Sequence, residues 1–284
     1  IPDKIRRNSK FQSFREENTI CSGQCQSEDS FEKTCNSFEK IIVGSDQVWN
    51  YNLTEHDMHY FLPEIDDSVE KIAYAASTGG ADFSTDESNE MIQCLQRFKN
   101  ISVKEKNIEI VLDPVFLTTQ SNWLRLAAKP VKKDYILFFK MGYSKTAEPA
   151  LEFAKKLSEE TGYELLMLWD QETWFKYRDV KHIGAAGPAE FLQWIAGAKC
   201  VVTNSFHATA FSIILNTPFY VETEIERKDR VLNILNIFKL EKCGLVKGKS
   251  ANGLNIPKIE WNVVNLLLDN ERHRSLDYID RILK

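Results

Sequence analysis

Residues 197–223 read GAKCVVTNSFHATAFSIILNTPFYVET. The apolar run AKCVVT turns through small polar residues directly into SFHATAFSIIL, whose apolar positions suit a helix, and TPFYVET then reads as a further strand. Strands alternating with helices predict parallel sheets covered on both faces.

The same rhythm continues in both directions. Upstream, DYILFFK (134–140) and YELLMLW (163–169) read as buried strands. Between them Ala147, Ala150, Leu151, Ala154 and Leu157 mark one stripe of a helix. Gly187-Pro188 opens another helix with proline in its first turn. Downstream, helices are expected from about Lys228 to Phe238 and from about Ile259 to Leu283. Nearer the start, KIIVG (40–44), KIAYAAS (71–77), NISV (100–103) and IEIVL (108–112) read as strands, with a helix over about 87–98. About half a dozen residues separate NISV from IEIVL, fewer than the dozen or so of a parallel crossover. These two strands therefore form a hairpin or, the favoured reading, residues are absent between Lys106 and Asn107. The opening forty residues are polar and lack clear periodicity until a helical patch around Phe31 and Phe38.

The expected fold class is α/β, with two Rossmann-like doubly wound domains facing a cleft. The expected boundaries are 1–125 for an N-terminal domain incomplete at its start and 126–245 for a C-terminal domain. Residues 246–284 are expected to form a helical segment packing back across both. The length of 284 residues suits two domains at roughly 100–200 residues each. A content of 43% hydrophobic and 27% charged residues excludes a disordered or fibrous chain. A net charge of −5 argues against gripping nucleic acid by overall charge, while leaving room for a local basic pocket. No apolar run approaches the ~18 residues of a membrane span. The six cysteines read as buried thiols of a reducing compartment. Cys21, Cys25 and Cys35 are not expected to bind zinc, since the nearest histidine is His56 and a tetrahedral site needs four placed ligands.

Ligands of open α/β sheets bind outside the carboxyl ends of the strands. That rule selects Gly44-Ser45-Asp46-Gln47, Ser77-Thr78-Gly79-Gly80, Lys104-Glu105-Lys106 and Thr203-Asn204-Ser205-Phe206-His207. In the last, Thr203 or Ser205 can cap the following helix, and His207 falls in its first turn. A helix N-terminus attracts anions, so His207 there suits holding a carboxylate or phosphate, or moving a proton. The competing reading is a histidine bonded to a neighbouring loop. Asp46 can be an N-cap, and Lys104 and Lys106 can be solvated. Arg227-Lys228-Asp229-Arg230 places cations at a helix start, where the dipole disfavours them, which hints at a nearby anion.

At these same places the sequence resembles the polysaccharide pyruvyl transferase family. The matching stretches are IIVGSDQVWN (41–50), YFLPE (60–64), KIAYAASTGG (71–80), ISVKEK (101–106), VLDPVFL (111–117) and GPAEFLQWIAGAKCVVTNSFHATAFSIILNTPF (187–219). The resemblance implies a GT-B-like fold and transfer of a pyruvyl group from phosphoenolpyruvate to a sugar, as a ketal bridging two hydroxyls. It implies that His207 is the family's histidine, as acid or as carboxylate ligand, and that Arg230 is the basic residue following the last strand. Lys104 stands where the family carries arginine in S-V-R-[DE], exchanging a planar fork for a point charge. Asp46 is then a base or a ligand of an acceptor hydroxyl, with Ser45 and Gln47 shaping the acceptor side and Ser77, Asn204 and Ser205 binding substrate. Phosphoenolpyruvate enters as donor substrate, and no metal and no cofactor are expected. The expected partners are phosphoenolpyruvate and a sugar acceptor, free or lipid-linked, with neither nucleic acid nor a transmembrane segment. The expected location is cytoplasmic, with peripheral association at the inner face of the membrane as an option. Two alternatives stay open: a GT-B-type glycosyltransferase using a nucleotide sugar, and a catalytically degenerate glycan-binding relative.

Overall fold

Strand formation in this chain follows burial: β1 (Lys40–Val43), β2 (Glu70–Ala76) and β3 (Phe98–Val103) pair in parallel in the order β1-β2-β3. The computed structural model describes residues 2–79, 81, 83–103, 111–130, 134–141, 147–168, 177, 179–224 and 228–284. The helices before β4 are α1 (Pro2–Asn18), α2 (Glu28–Cys35), α3 (Tyr51–Thr54), α4 (Thr85–Leu95) and α5 (Gln120–Leu126). Then come β4 (Tyr135–Phe139), α6 (Ala147–Thr161), β5 (Glu164–Leu168), β6 (Lys181–Ile183), α7 (Pro188–Ala196) and β7 (Cys200–Thr203). The chain continues through α8 (Phe206–Ile214), β8 (Phe219–Glu222), α9 (Lys228–Ile237), β9 (Gly244–Val246), β10 (Lys249–Ser250) and α10 (Trp261–Leu283). These elements fall into two units, a larger one of the chain up to Ile20 plus Thr118–Asp269, and a smaller one of Cys21–Leu117 plus Asn270–Lys284.

The larger unit holds a seven-stranded sheet among the described residues, in the order β10-β9-β8-β7-β4-β5-β6. Only the β9–β10 pair is antiparallel there. The order β6-β5-β4-β7-β8 is doubly wound, and the winding reverses between β4 and β7, whose register runs from Ile136↔Cys200 to Phe139↔Thr203. On one face Ile136, Phe138, Met167 and Val202 pack against Ala147, Ala150, Leu151, Ala154 and Leu157, the stripe read from the sequence. On the other, Phe139 meets Phe191, Phe191 meets Phe211 and Phe211 meets Trp123, with ring centroids 5.2, 5.8 and 4.9 Å apart. Proline at the start of α7 is joined by Glu190, whose carboxylate accepts the Gly187 N–H at 2.9 Å.

In the smaller unit β2 is buried along almost its whole length. Trp49, Phe61, Ile65 and Met91 cover one side, and Tyr278 and Ile282 of α10 cover the other. The Tyr74 hydroxyl donates to the Leu112 carbonyl, and Leu112 N–H donates to Ser275. Arg272 Nε donates to the Phe116 carbonyl at 2.7 Å, so α10 ties down the segment 111–117. Lys71 is almost fully buried, with Nζ on the Asp66 carbonyl at 2.8 Å, and burial lowers its pKa, helped by nearby Arg97.

Several expectations need correction. Residues 2–18 form a helix that sequence periodicity missed, because it is polar nearly all round and made of good helix formers. It belongs to the larger unit, where Lys10 pairs with Glu190, and not to the N-terminal domain expected at 1–125. The observed division at 117/118 precedes the expected 125/126, because Trp123 of α5 packs on Phe211. Phe38 lies beyond α2 and is exposed. The expected strand at 108–112 and the join at Lys106 fall mainly outside the described residues. Val111 and Leu112 are described and buried but lie outside any strand. The short strands β6, β9 and β10 went unread.

Gly44 leaves β1 at φ 132°, and a Cβ there would overlap the Tyr74 carbonyl oxygen. Gly44→Ala is therefore expected to lose at least about 1–3 kcal/mol from backbone strain alone. Chemical denaturation of the full chain measures this, and an unchanged midpoint would refute the close approach.

Candidate active site

The winding reverses between β4 and β7, and the carboxyl ends of the strands at such a reversal are the usual ligand position. Three side chains at the end of β7 and just after it lie there. Thr203 Oγ1 donates to the Phe139 carbonyl at 2.6 Å and accepts the Ser205 N–H at 3.0 Å. Asn204 holds Met141 both ways, accepting its N–H at 2.8 Å and donating to its carbonyl at 3.2 Å. Ser205 is the N-cap of α8, its hydroxyl accepting the Ala208 N–H at 3.4 Å. Of the two caps considered from sequence, Ser205 is the one observed.

His207 lies in the first turn of α8 and is half-buried. Phe206 precedes it, with ring centroids 5.5 Å apart, edge to face. Over the Phe206 ring lies the Arg230 guanidinium, 4.3 Å from the centroid. Arg230 is in the first turn of α9, so its guanidinium and the first turn of α8 meet at the Phe206 ring. At the tip of β4, Lys140 is only 3% exposed, with its ammonium 5.8 Å from the Tyr177 ring centroid. Strand alternation puts Lys140 on the face of Ile136 and Phe138, opposite the aromatic row under α8. One cation thus lies over Phe206 and a second, Lys140, is buried at the end of β4. Phe206 and Lys140 were not singled out from sequence. The available signals were an aromatic ring at an otherwise polar helix start and a lysine closing an apolar run.

The polar strand ends of the smaller unit form their own cluster. Asp46 has φ 78°, in the left-handed region that Asp tolerates, and bridges in parallel to Ala76. Gln47 Oε1 accepts from Asn50 Nδ2 at 2.8 Å, and Asn50, almost fully buried, caps α3. Ser77 accepts the Gly79 N–H at 2.9 Å through its hydroxyl and the Trp49 N–H at 3.2 Å through its carbonyl. Gly79 has φ 63°, and a Cβ there would strike the Gln47 and Asn50 side chains. The structure therefore brings Asp46, Gln47 and Ser77 together around Asn50, with Ser45 beside them in the chain. It brings Asn204, Ser205, His207 and Arg230 together in the larger unit. Lys104 lies outside the described residues, as do Trp169 and Trp174.

Burial pushes the Cys243 thiol up to about 12 and Cys200 well above its ordinary value, as suits inert core thiols. Cys25 contacts the Ser30 carbonyl and Thr34 hydroxyl. Among the described residues no group of three or more His, Cys, Asp and Glu is arranged to hold a metal, and no helix is long and apolar enough to cross a membrane.

Asn204→Ala strips both partners from the Met141 backbone. A thermal midpoint lower by about 2–10 °C is expected in differential scanning calorimetry. An unaltered midpoint would mean that the clamp does not hold the two strand ends.

The family model for polysaccharide pyruvyl transferase matches residues 3–223. No curated protein matches at significant sequence similarity. The chain is similar in structure to UDP-GlcNAc 2-epimerase from Methanocaldococcus jannaschii, with TM-score 0.53 and 11% identity over 92% of this chain and 82% of that one. A structure of the Methanocaldococcus jannaschii enzyme in complex with UDP-GlcNAc and UDP gives TM-score 0.54 and 14% identity over 96% and 87%. At such identities the likeness is one of fold, a GT-B-type α/β architecture. The family match spans most of the sequence, including the strand ends at 44–47 and 203–207 though not Arg230, and on that ground the chain belongs to the polysaccharide pyruvyl transferase family.

Proposed function

We propose that the protein transfers the pyruvyl group of phosphoenolpyruvate to a sugar of a cell-surface polysaccharide or its precursor, forming a ketal and releasing phosphate. The observation that carries this reading is the placement of His207 in the first turn of α8, just past the β4–β7 reversal, with the Arg230 guanidinium over the neighbouring Phe206 ring. Phosphoenolpyruvate is a multiply charged anion, so a protein of net charge −5 must concentrate positive charge locally to hold it. Arg230, Lys140, Lys104 and the α8 N-terminus are assigned to its phosphate and carboxylate.

In the proposed reaction His207 gives a proton to C3 of the enol, leaving C2 cationic. One sugar hydroxyl adds to C2 and loses its proton. The C2–O bond to phosphate then breaks, phosphate leaves with the bonding pair, and a second hydroxyl of the same sugar closes the ketal with loss of its own proton. Asn204 and Ser205 hold the backbone around the donor. Asp46 is assigned to accept a hydroxyl proton from the acceptor sugar, with Ser45, Gln47 and Ser77 as further sugar ligands. Positioned charges supply most of the acceleration.

Isothermal titration of the full chain with phosphoenolpyruvate and with a panel of nucleotide sugars tests the donor. Selective binding of phosphoenolpyruvate is expected, and His207→Ala is expected to lower phosphate release in the presence of acceptor by about 10²–10⁴-fold. Binding of a nucleotide sugar with none of phosphoenolpyruvate would replace this reading by glycosyl transfer.

A further inference from the structure

We infer that Phe206 is a positioning residue, a platform that holds the Arg230 guanidinium flat beside His207 so that its edge meets the donor anion. The inference rests on the pyruvyl-transfer reading. Residues Ala208 to Ile214 of α8 are all buried, whereas Phe206, at the helix start, is half-buried. Among the neighbours of its ring are Arg230, whose guanidinium carbon lies over it at 4.3 Å, and His207, edge-on at 5.5 Å. An aromatic side chain placed for core packing would be covered by hydrocarbon. This one is covered in part by a cation.

Arg230 sits in the first turn of α9, where the helix dipole repels a cation. Stacking on an aromatic face retains it and also fixes its plane. A guanidinium held flat presents its N–H donors along its edge, the geometry that grips a carboxylate or phosphate by two parallel hydrogen bonds. An ammonium at the same place would keep the charge and lose the plane. Phe206 therefore acts through Arg230 and needs no contact with substrate.

A double-mutant cycle on phosphoenolpyruvate binding, read by isothermal titration at fixed salt, tests this. Phe206→Leu and Arg230→Lys are each expected to weaken binding about tenfold, and the double variant by little more than either alone. Phe206→Tyr, which keeps the ring face, is expected to bind within about threefold of the wild type. Additive losses in the double variant, or full binding by Arg230→Lys, would overturn the platform while leaving pyruvyl transfer standing. The Arg230→Lys arm decides the matter even where Phe206→Leu fails to fold. A wild-type protein that binds no phosphoenolpyruvate would overturn the pyruvyl-transfer reading, and the platform with it.

Discussion

Two hydrogen bonds between Asn204 and the backbone of Met141 hold the carboxyl ends of β4 and β7 side by side at the place where the sheet reverses its winding. The two strands pair through their own ladder from Ile136↔Cys200 to Phe139↔Thr203, and the tie begins where that ladder ends. At a reversal the helices depart to opposite faces, and the chain after each strand turns away from its neighbour. The Thr203 hydroxyl on the Phe139 carbonyl and the Asn204 side chain on Met141 extend the pairing past the last ladder residues. With it, Thr203 and Ser205 are fixed, α8 starts at a set height, and His207 inherits its position from backbone geometry. The site is thus a consequence of strand order, with local polar residues making that order rigid.

Charge adds a second constraint. The chain is acidic overall, yet a buried lysine at the end of β4 and an arginine over the Phe206 ring both belong to strand-end segments of the larger unit. The smaller unit differs in kind. Its strand ends carry amide and hydroxyl groups that bond to one another and to nearby backbone N–H groups.

Much of this was legible in the sequence, for identifiable reasons. Strands such as YILFF and CVVT are buried on both faces and read as unbroken apolar runs. The α6 stripe and the Gly-Pro start of α7 are local signals, and so is the polar turn that caps α8. What escaped reading was either too short or settled at a distance. β6 has three residues, too few for a period, and α1 has no apolar stripe to betray it. The unit boundary depends on Trp123 meeting Phe211, a contact between residues far apart in the chain. Asp46 and His207 could be chosen from their places at strand ends, but Phe206 could not. An aromatic residue at helical spacing looks like core until the guanidinium above it is seen.

The Asn204–Met141 tie joins residues 63 apart in sequence. Closing a loop of that size costs on the order of 4 kcal/mol of chain entropy, more than two hydrogen bonds return in water. The tie therefore cannot form early in folding; it needs β5, β6, α6 and α7 to have collapsed between its ends. The arrangement at the ends of β4 and β7 therefore depends on the packing of the larger unit as a whole. Ligand binding would then count only fully folded molecules, and a bound anion would stabilise the cooperative state as a whole instead of one loop.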